Sequence, residues 1–570
     1  GDVFGNGMLL NPHLKLVAAF NHKHIFLDPN PDVEASFAER ARLFAAIQGW
    51  GDYDVSLMSQ GGGVFDRASK TIHISVEVQT ILGMDVDACS GEALIRAILQ
   101  APVDLLYNGG IGTYVKASFE SDTDAQDPAN NAVRVDACKL RCKVLSEGGN
   151  LGLTQAARIE YAQSGGLINT DAIDNAAGVN MSDHEVNLKI LLVHEPFKRR
   201  NKRLKQVANF VAAQCLQDNK EQAIALSLTE KTAEHHLPRL YHLQQQLFAD
   251  QYLYSVAKDA ADFVLRPVFS EWLGHEKNRV HQALDDVDFC EQSVFGHIFL
   301  TGYFPKPLQK NFASAIVNHP LANDIAHTRI TSYIINSYGI TSIHYLQNLT
   351  NASIVDVVQV ILMADKLLGT QEMYADFLNE NGEDLQAWYQ IQQQVLNFAE
   401  GLLLLDEHMQ VNETWLQAMQ RGLVTFAKKY NVTVMGLSSL ATAIPLCEAT
   451  GKPLYGCLAA TQDCIDTLPF AQLEESLRST LWGDSDAHAL RCEWLGRLMR
   501  MKKQAAKQML LVSRSKKQKL AQVWQQHPLQ VKLEHLLTAQ EGLTNEALRL
   551  RYILAMTHLQ SIVECNCNLA

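Results

Sequence analysis

Leu105-Leu-Tyr107-Asn108-Gly109-Gly110-Ile111-Gly112-Thr113 is an apolar run that stops at an asparagine and a cluster of glycines, with no proline among them. A buried strand running straight into a tight turn has this pattern, because glycine lets the backbone turn sharply and approach a flat ligand closely. Further runs repeat the design at His24 to Leu27, Cys142 to Ser146 and Gly166 to Asn169, and each of these, like Val103 to Tyr107, has an Asp, Asn or Gly within the two residues after it. Between them lie stretches with helical spacing, the alternation expected of a mostly parallel sheet flanked by helices over residues 1 to about 195. In such a sheet the carboxyl ends of the strands are where ligands bind, since helix amino-termini and loop amides converge there.

From residue 196 the strand pattern thins out and apolar residues recur at helical spacing, as at Leu240, Leu243 and Leu247. Residues 196 to 570 are therefore expected to form a large, mostly α-helical region. Turn-like stretches at Pro305 to Pro307, Gly339 to Thr341 and Gly451 to Pro453 interrupt it, but no period repeats and they do not fix a division into subdomains.

The 570 residues suffice for several buried cores. Apolar runs such as Gly401 to Leu405 fall well short of a bilayer span, so no membrane segment is expected. A net charge of -13 repels phosphate backbones and argues against nucleic acid as a ligand. Eleven cysteines scattered through a long chain fit free thiols in a reducing compartment, and a cytoplasmic location is expected. The close pairs Cys138/Cys142 and Cys565/Cys567 have no second pair at zinc-site spacing. A zinc-protease reading of His184-Glu185 fails as well, because position 188 is Leu where a second His is required.

Four stretches hold the candidate site residues. Gly1 to Met8 is glycine-rich and is expected to lead into a helix ending near Phe20, then the strand His24 to Leu27 and Asp28. An acidic residue placed a little over 20 residues beyond a glycine turn accepts hydrogen bonds from an adenine ribose and favours NAD over NADP. An Asp before Pro29 is also an ordinary turn former, so Asp28 carries both readings. Asn108 and Gly109 stand at one strand end. At another, Ser146-Glu147-Gly148-Gly149-Asn150 places Asn150 where its amide can both donate and accept toward a carboxamide, or serve only the turn. Asp174-Asn175-Ala-Ala-Gly178-Val-Asn-Met-Ser182 combines small and polar residues, with close helix packing as the alternative. The basic runs Lys198 to Lys205 and Arg497 to Lys519 interleave with apolar residues at helical spacing and read as solvated helix faces.

Taken together, Gly1 to Asp28, Ser59-Gln-Gly-Gly-Gly-Val-Phe-Asp66, Asp104 to Ser118 and Glu147 to Lys189 resemble the large bacterial NAD-specific glutamate dehydrogenases. The likeness continues more loosely through Gly302-Tyr-Phe-Pro305 and from His319 to Gly339. It implies an incomplete Rossmann-like α/β domain with its first strand missing, Gly1 being the last glycine of the fingerprint, followed by the helical region. It also implies NAD as cofactor at Gly1, Asp28, Asn108, Gly109 and Asn150. Asn175-Ala-Ala-Gly178-Val-Asn-Met-Ser182 is similar to a segment of smaller glutamate dehydrogenases, which implies L-glutamate or 2-oxoglutarate at Asn175 and Ser182. The implied reaction is oxidative deamination in a homo-oligomer.

That chemistry needs a lysine of lowered pKa and a carboxylate. In the family both lie before the position matching Gly1, so no catalytic residue is assigned in this chain and no metal is expected. The chain is expected to be a carboxy-terminal portion of a longer enzyme, inactive alone. Two other readings remain open: an amino-acid dehydrogenase of different substrate, and a non-catalytic helical regulatory or assembly module.

Overall fold

The computed structural model describes residues 8–9, 11–250, 264–405, 411–430, 439–479, 485–511, 514–527, 529, 532, 536 and 545–564. They form two compact units, Gly1–His275 and Glu276–Ala570. The expectations for Gly1, Cys565 and Cys567 lie outside the described residues.

The first unit opens with β1 (Ala18–Phe20), β2 (His24–Leu27) and β3 (Gly63–Asp66), an antiparallel sheet in the order β1-β2-β3. The strand at His24–Leu27 stands where the sequence places it, but the helix expected to end near Phe20 is instead β1. The reason lies in Asn21, whose Oδ1 accepts from the backbone amides of Lys23 and His24, both at 2.8 Å. That side-chain turn folds the apolar run back on β2, with Ala19 opposite Phe26. Helix α1 (Val33–Ala46) starts where Asp32 accepts from Ala35 N at 2.9 Å.

Strands β4 (Ile72–His73) and β5 (Ala88–Cys89) pair antiparallel and bracket α2 (Val76–Leu82). After α3 (Gly91–Leu99) comes β6 (Leu105–Asn108), and then β7 (Val115–Lys116) and β8 (Val135–Asp136), which pair parallel. Strand β9 (Val144–Glu147), α4 (Gln155–Gln163) and β10 (Leu167–Ile168) complete the α/β part. The parallel sheet has the order β10-β9-β6, with Asn108 in register with Glu147. Both sheets contribute to one core that includes Ile25, Leu27, Leu94, Ile95, Leu145, Leu153 and Ile168. On the other face of the parallel sheet Leu105, Val144 and Leu167 align across the three strands and stay exposed.

Helices α5 (Asp171–Asp174), α6 (Ala176–Leu191) and α7 (Phe197–Ala249) follow, and among the described residues every strand precedes residue 169. The architecture is thus an α/β region followed by a helical one. Lys198, Arg199, Lys202 and Lys205 are exposed, as expected of a solvated helix face. The second basic run departs from that reading at Lys502, which is buried with its ammonium 3.4 Å from Glu474. Its methylene stem packs in the bundle while one carboxylate meets the charge.

In the second unit a polar cluster sits among packed helices. Asp365 Oδ1 accepts from Tyr333 at 3.0 Å, Tyr338 at 2.6 Å and Thr370 at 2.6 Å. Beside it Trp388 stacks on Phe377 with centroids 5.4 Å apart, and its Nε1 donates to Ser337 O at 2.9 Å.

Two outcomes follow from this packing. Leu145→Ala removes a nearly fully buried side chain from the core of the first unit and is expected to cost about 2–5 kcal/mol, read from the first urea transition. Burial holds the Asp365 carboxyl above the ordinary carboxylate range despite three hydroxyl donors. A raised folded value means that its contribution is present in acid and is lost as pH rises through that value. Relative to wild type, Asp365→Asn should therefore gain stability between pH 4 and pH 7. Urea midpoints across that range check this, and a relative loss for the variant would show the opposite shift.

Candidate functional site

The carboxyl ends of β6 and β9 meet in two interlocked glycine turns. The backbone ties them first, through Gly148 N donating to Asn108 O at 2.8 Å. Close packing does the rest. A Cβ on Gly149 would stand 2.2 Å from Gly110 O, and one on Gly148 would stand 2.0 Å from the Tyr107 hydroxyl. A Cβ on Gly152 would fall 1.8 Å from Asn108 Nδ2. At Gly149 the obstacle is backbone, so no side chain fits there, whereas at Gly148 and Gly152 the space is taken by the Tyr107 and Asn108 side chains.

Glu147 ends β9 with its side chain fully buried and is held by Arg158 of α4 in a two-pronged pair, Nε to Oε2 at 2.7 Å and Nη2 to Oε1 at 2.9 Å. Leu153 N adds a bond to Oε1 at 3.2 Å. Burial still raises the Glu147 carboxyl above its ordinary value, and Arg158 works against that. The far side of Arg158 reaches Asp171 at 3.2 Å, and Asp171 accepts from Leu151 N at 2.8 Å. Leu151 adopts a left-handed φ of 57°, kept in place by that bond and by Thr113 Oγ1, which donates to its carbonyl at 2.7 Å.

Asp174 completes the frame. Its Oδ2 accepts from Glu147 N at 3.0 Å and its Oδ1 from Asn169 Nδ2 at 2.7 Å. Arg266 Nε in turn donates to Asn169 Oδ1 at 2.6 Å, while its Nη1 reaches Glu230 at 2.6 Å. The turn after β9 is therefore anchored to α4, α5 and α7 by charged side chains.

Of the residues singled out in the sequence, the structure gathers Asn108, Gly109, Asn150 and Asn175. Asn175 Nδ2 donates to the Asn150 side-chain oxygen, which stands exposed at the mouth of the turn. Asn108 Nδ2 is buried and has no hydrogen-bond partner, an unspent donor directed at the glycine turn. Ser182 lies on the exposed face of α6, seven residues beyond Asn175 and so about two helical turns away.

Asp28 belongs to the antiparallel sheet. It is fully buried, and its Oδ1 accepts from Ser59 N at 3.1 Å and Ser59 Oγ at 2.5 Å. Its Oδ2 is left without a partner. Arg158, Asp171, Asp174 and Thr113 were not singled out in the sequence. The one available signal was Glu147 itself, a carboxylate closing an apolar strand, which needs a cation once it is buried.

Comparison with known proteins agrees with these motifs. Residues 1–229 match the model of the bacterial NAD-glutamate dehydrogenase catalytic domain, and residues 263–404 match that of the glutamate dehydrogenase C-terminal region. Both matched regions are those of the bacterial NAD-glutamate dehydrogenases. The chain is similar to an NAD-specific glutamate dehydrogenase of Mycobacterium tuberculosis, 40% identical over 399 residues that make up 66% of this chain and 24% of that protein. Proteins of the same name from Pseudomonas aeruginosa and Halomonas elongata are 41% identical over 381 residues and 38% identical over 384. These cover 63% and 64% of the chain, and 23% and 24% of the respective relatives. The chain thus spans about a quarter of the length of the curated relatives it matches. No helix among the described residues is long and apolar enough to cross a membrane.

Glu147→Ala removes the two-pronged partner of the buried Arg158 guanidinium and leaves it only the longer contact to Asp171, and the expected loss is about 3–5 kcal/mol of stability. Thermal melts of this variant beside Arg158→Ala and the double variant measure the coupling. If the single losses simply added, the pair would not be the anchor of the turn.

Proposed function

We propose that this chain forms the cofactor-binding part and the helical region of an NAD-dependent glutamate dehydrogenase, which converts L-glutamate to 2-oxoglutarate and ammonium with formation of NADH. The observation that carries this reading is the meeting of Asn108, Gly109 and Asn150 at the carboxyl ends of neighbouring parallel strands, in a chain with these two matched regions. The α/β part, residues 1–195, is read as Rossmann-like, and residues 196–570 as the helical region.

The glycine turns suit a flat nicotinamide ring, because no Cβ intervenes between ligand and backbone. NAD, when bound, supplies the hydride acceptor for the glutamate α carbon. Asn108 Nδ2 has no protein partner to give up and is available to donate to a carboxamide oxygen. Asn150, oriented by Asn175, offers the exposed amide that fixes the ring's face. Ser182 is assigned to the substrate side-chain carboxylate, and Asn175 to the substrate-binding segment that precedes it. Asp28 is assigned to the adenine ribose, and Gly1 to the pyrophosphate turn. The general base and the proton-shuttling carboxylate are assigned to residues outside this chain.

The rest of the reading covers the setting of the enzyme. It is taken to be a cytoplasmic homo-oligomer, supported by the net charge of -13, by described cysteines that are all free, and by a large helical region able to bury apolar faces between subunits.

Fluorescence titration with NADH tests the site. Asn108→Ala and Asn150→Ala should each weaken binding about tenfold, or roughly 1.4 kcal/mol, without changing the preference for NADH over NADPH. Asp28→Ser should instead narrow that preference. Wild-type affinity in both asparagine variants would overturn the assignment. The pure chain should form no NADH from glutamate, and glutamate-dependent NADH formation by it would overturn placing the general base elsewhere.

A further inference from the structure

In the second unit, helix Leu440–Thr450 turns through Gly451, Lys452 and Pro453 into helix Leu454–Thr467. Gly451 has a φ of 62° and closes the first helix by donating to Cys447 O. The hairpin brings Cys447, in the last turn of one helix, against Cys457, in the first turn of the next. Both sulfurs point at one carbonyl: Lys452 O lies 2.9 Å from Cys447 Sγ and 3.8 Å from Cys457 Sγ. Both thiols thus lie against the same backbone oxygen at the hairpin turn.

We propose that Cys447 and Cys457 form a reversible dithiol–disulfide site, oxidised by a hydroperoxide and reduced by a small thiol.

The chemistry divides between the two residues by their surroundings. The neighbouring Cys447 lowers the Cys457 thiol below its ordinary value, while the same pairing together with burial raises that of Cys447. Cys457 is therefore the attacking sulfur. Its thiolate takes the terminal oxygen of the hydroperoxide, the O–O bond breaks, and with hydrogen peroxide water leaves, forming a sulfenic acid at Cys457. The Cys447 sulfur then attacks Cys457 Sγ, the S–O bond breaks and a second water leaves with the thiol proton. Two thiols and one peroxide become one disulfide and two waters.

Access and geometry both allow it. The pair is buried, yet it lies directly beneath the hairpin turn, where Glu448, Ala449, Gly451 and Lys452 are exposed, so a small oxidant crosses only one layer of chain. Two cysteines flank a tight helical turn with both sulfurs directed at one carbonyl, and a disulfide between them requires a Cβ separation of about 3.5–4.5 Å. Cys464 lies two turns further along the same helix, buried, with burial holding its thiol well above the ordinary value. It serves as the internal control.

The test uses the whole purified chain, exposed to hydrogen peroxide, alkylated, and cleaved after glutamate. Glu448 lies between the two cysteines, so that cut separates them unless a sulfur–sulfur bond joins the fragments. The expected result is one cross-linked species containing Cys447 and Cys457, reversed by dithiothreitol and still formed in Cys464→Ser. The oxidised chain should also melt at a higher temperature than the reduced one, because the bond closes a short loop in the unfolded chain. Cys447→Ser should stop the reaction at the Cys457 sulfenic acid, trapped by dimedone, and this readout holds provided the variant shows the wild-type circular dichroism. Phenylarsine oxide, which bridges adjacent thiols, should protect both from alkylation in the unmutated chain. Recovery of both cysteines singly alkylated after peroxide, or a cross-link to a different cysteine, would overturn the proposal.

Discussion

The Glu147–Arg158 pair is the constraint on which the architecture of the β6 and β9 turns depends. A carboxylate with no solvent exposure at the end of a parallel strand is costly unless a cation reaches it, and Arg158 arrives from the helix that follows the turn. Once that pair is made, the five residues between β9 and Leu153 have little freedom. Leu153 N is fixed by the same carboxylate, Leu151 is held left-handed by Asp171 and Thr113, and Glu147 N is tied to Asp174. The turn is preorganised, so ligand binding does not have to order it.

The same logic explains the glycines. A turn clamped from below by ion pairs and pressed from the side by the loop after β6 leaves no volume for a side chain at Gly149, and the Tyr107 and Asn108 side chains take the space at Gly148 and Gly152. What remains exposed is backbone and the Asn150 amide, a surface suited to a planar group. Rigid support beneath and bare backbone above are two consequences of one packing arrangement.

The helical unit handles buried polarity differently. Asp365 is met by three hydroxyls in place of a cation, and they lower its carboxyl less than burial raises it, so it stays above the ordinary range as the Arg158-paired Glu147 does. Hydroxyl donors from separate helices converge on one oxygen, which ties those helices together without a formal ion pair. At the Cys447–Cys457 hairpin two thiols are brought to one carbonyl by a turn that uses Gly451 for its left-handed φ.

The sequence by itself determined the strand ends at Asn108 and Glu147, the identity of the strand His24–Leu27, the change to helix after the α/β part, and the motifs that mark the family. Strand ends are readable because an apolar run closed by Asn and Gly has one inexpensive conformation, and a family motif is local by construction. Other features depended on residues far apart in the chain. The antiparallel placement of β2 follows from Asn21 folding β1 onto it, and the burial of Asp28 follows from Ser59, 31 residues away. The anchoring of Glu147 needs Arg158, Asp171 and Asp174, and the burial of Lys502 needs Glu474. Each of these is a desolvated polar group that is stable only when a partner arrives through space. Partner choice across space is set by packing, which no local pattern records.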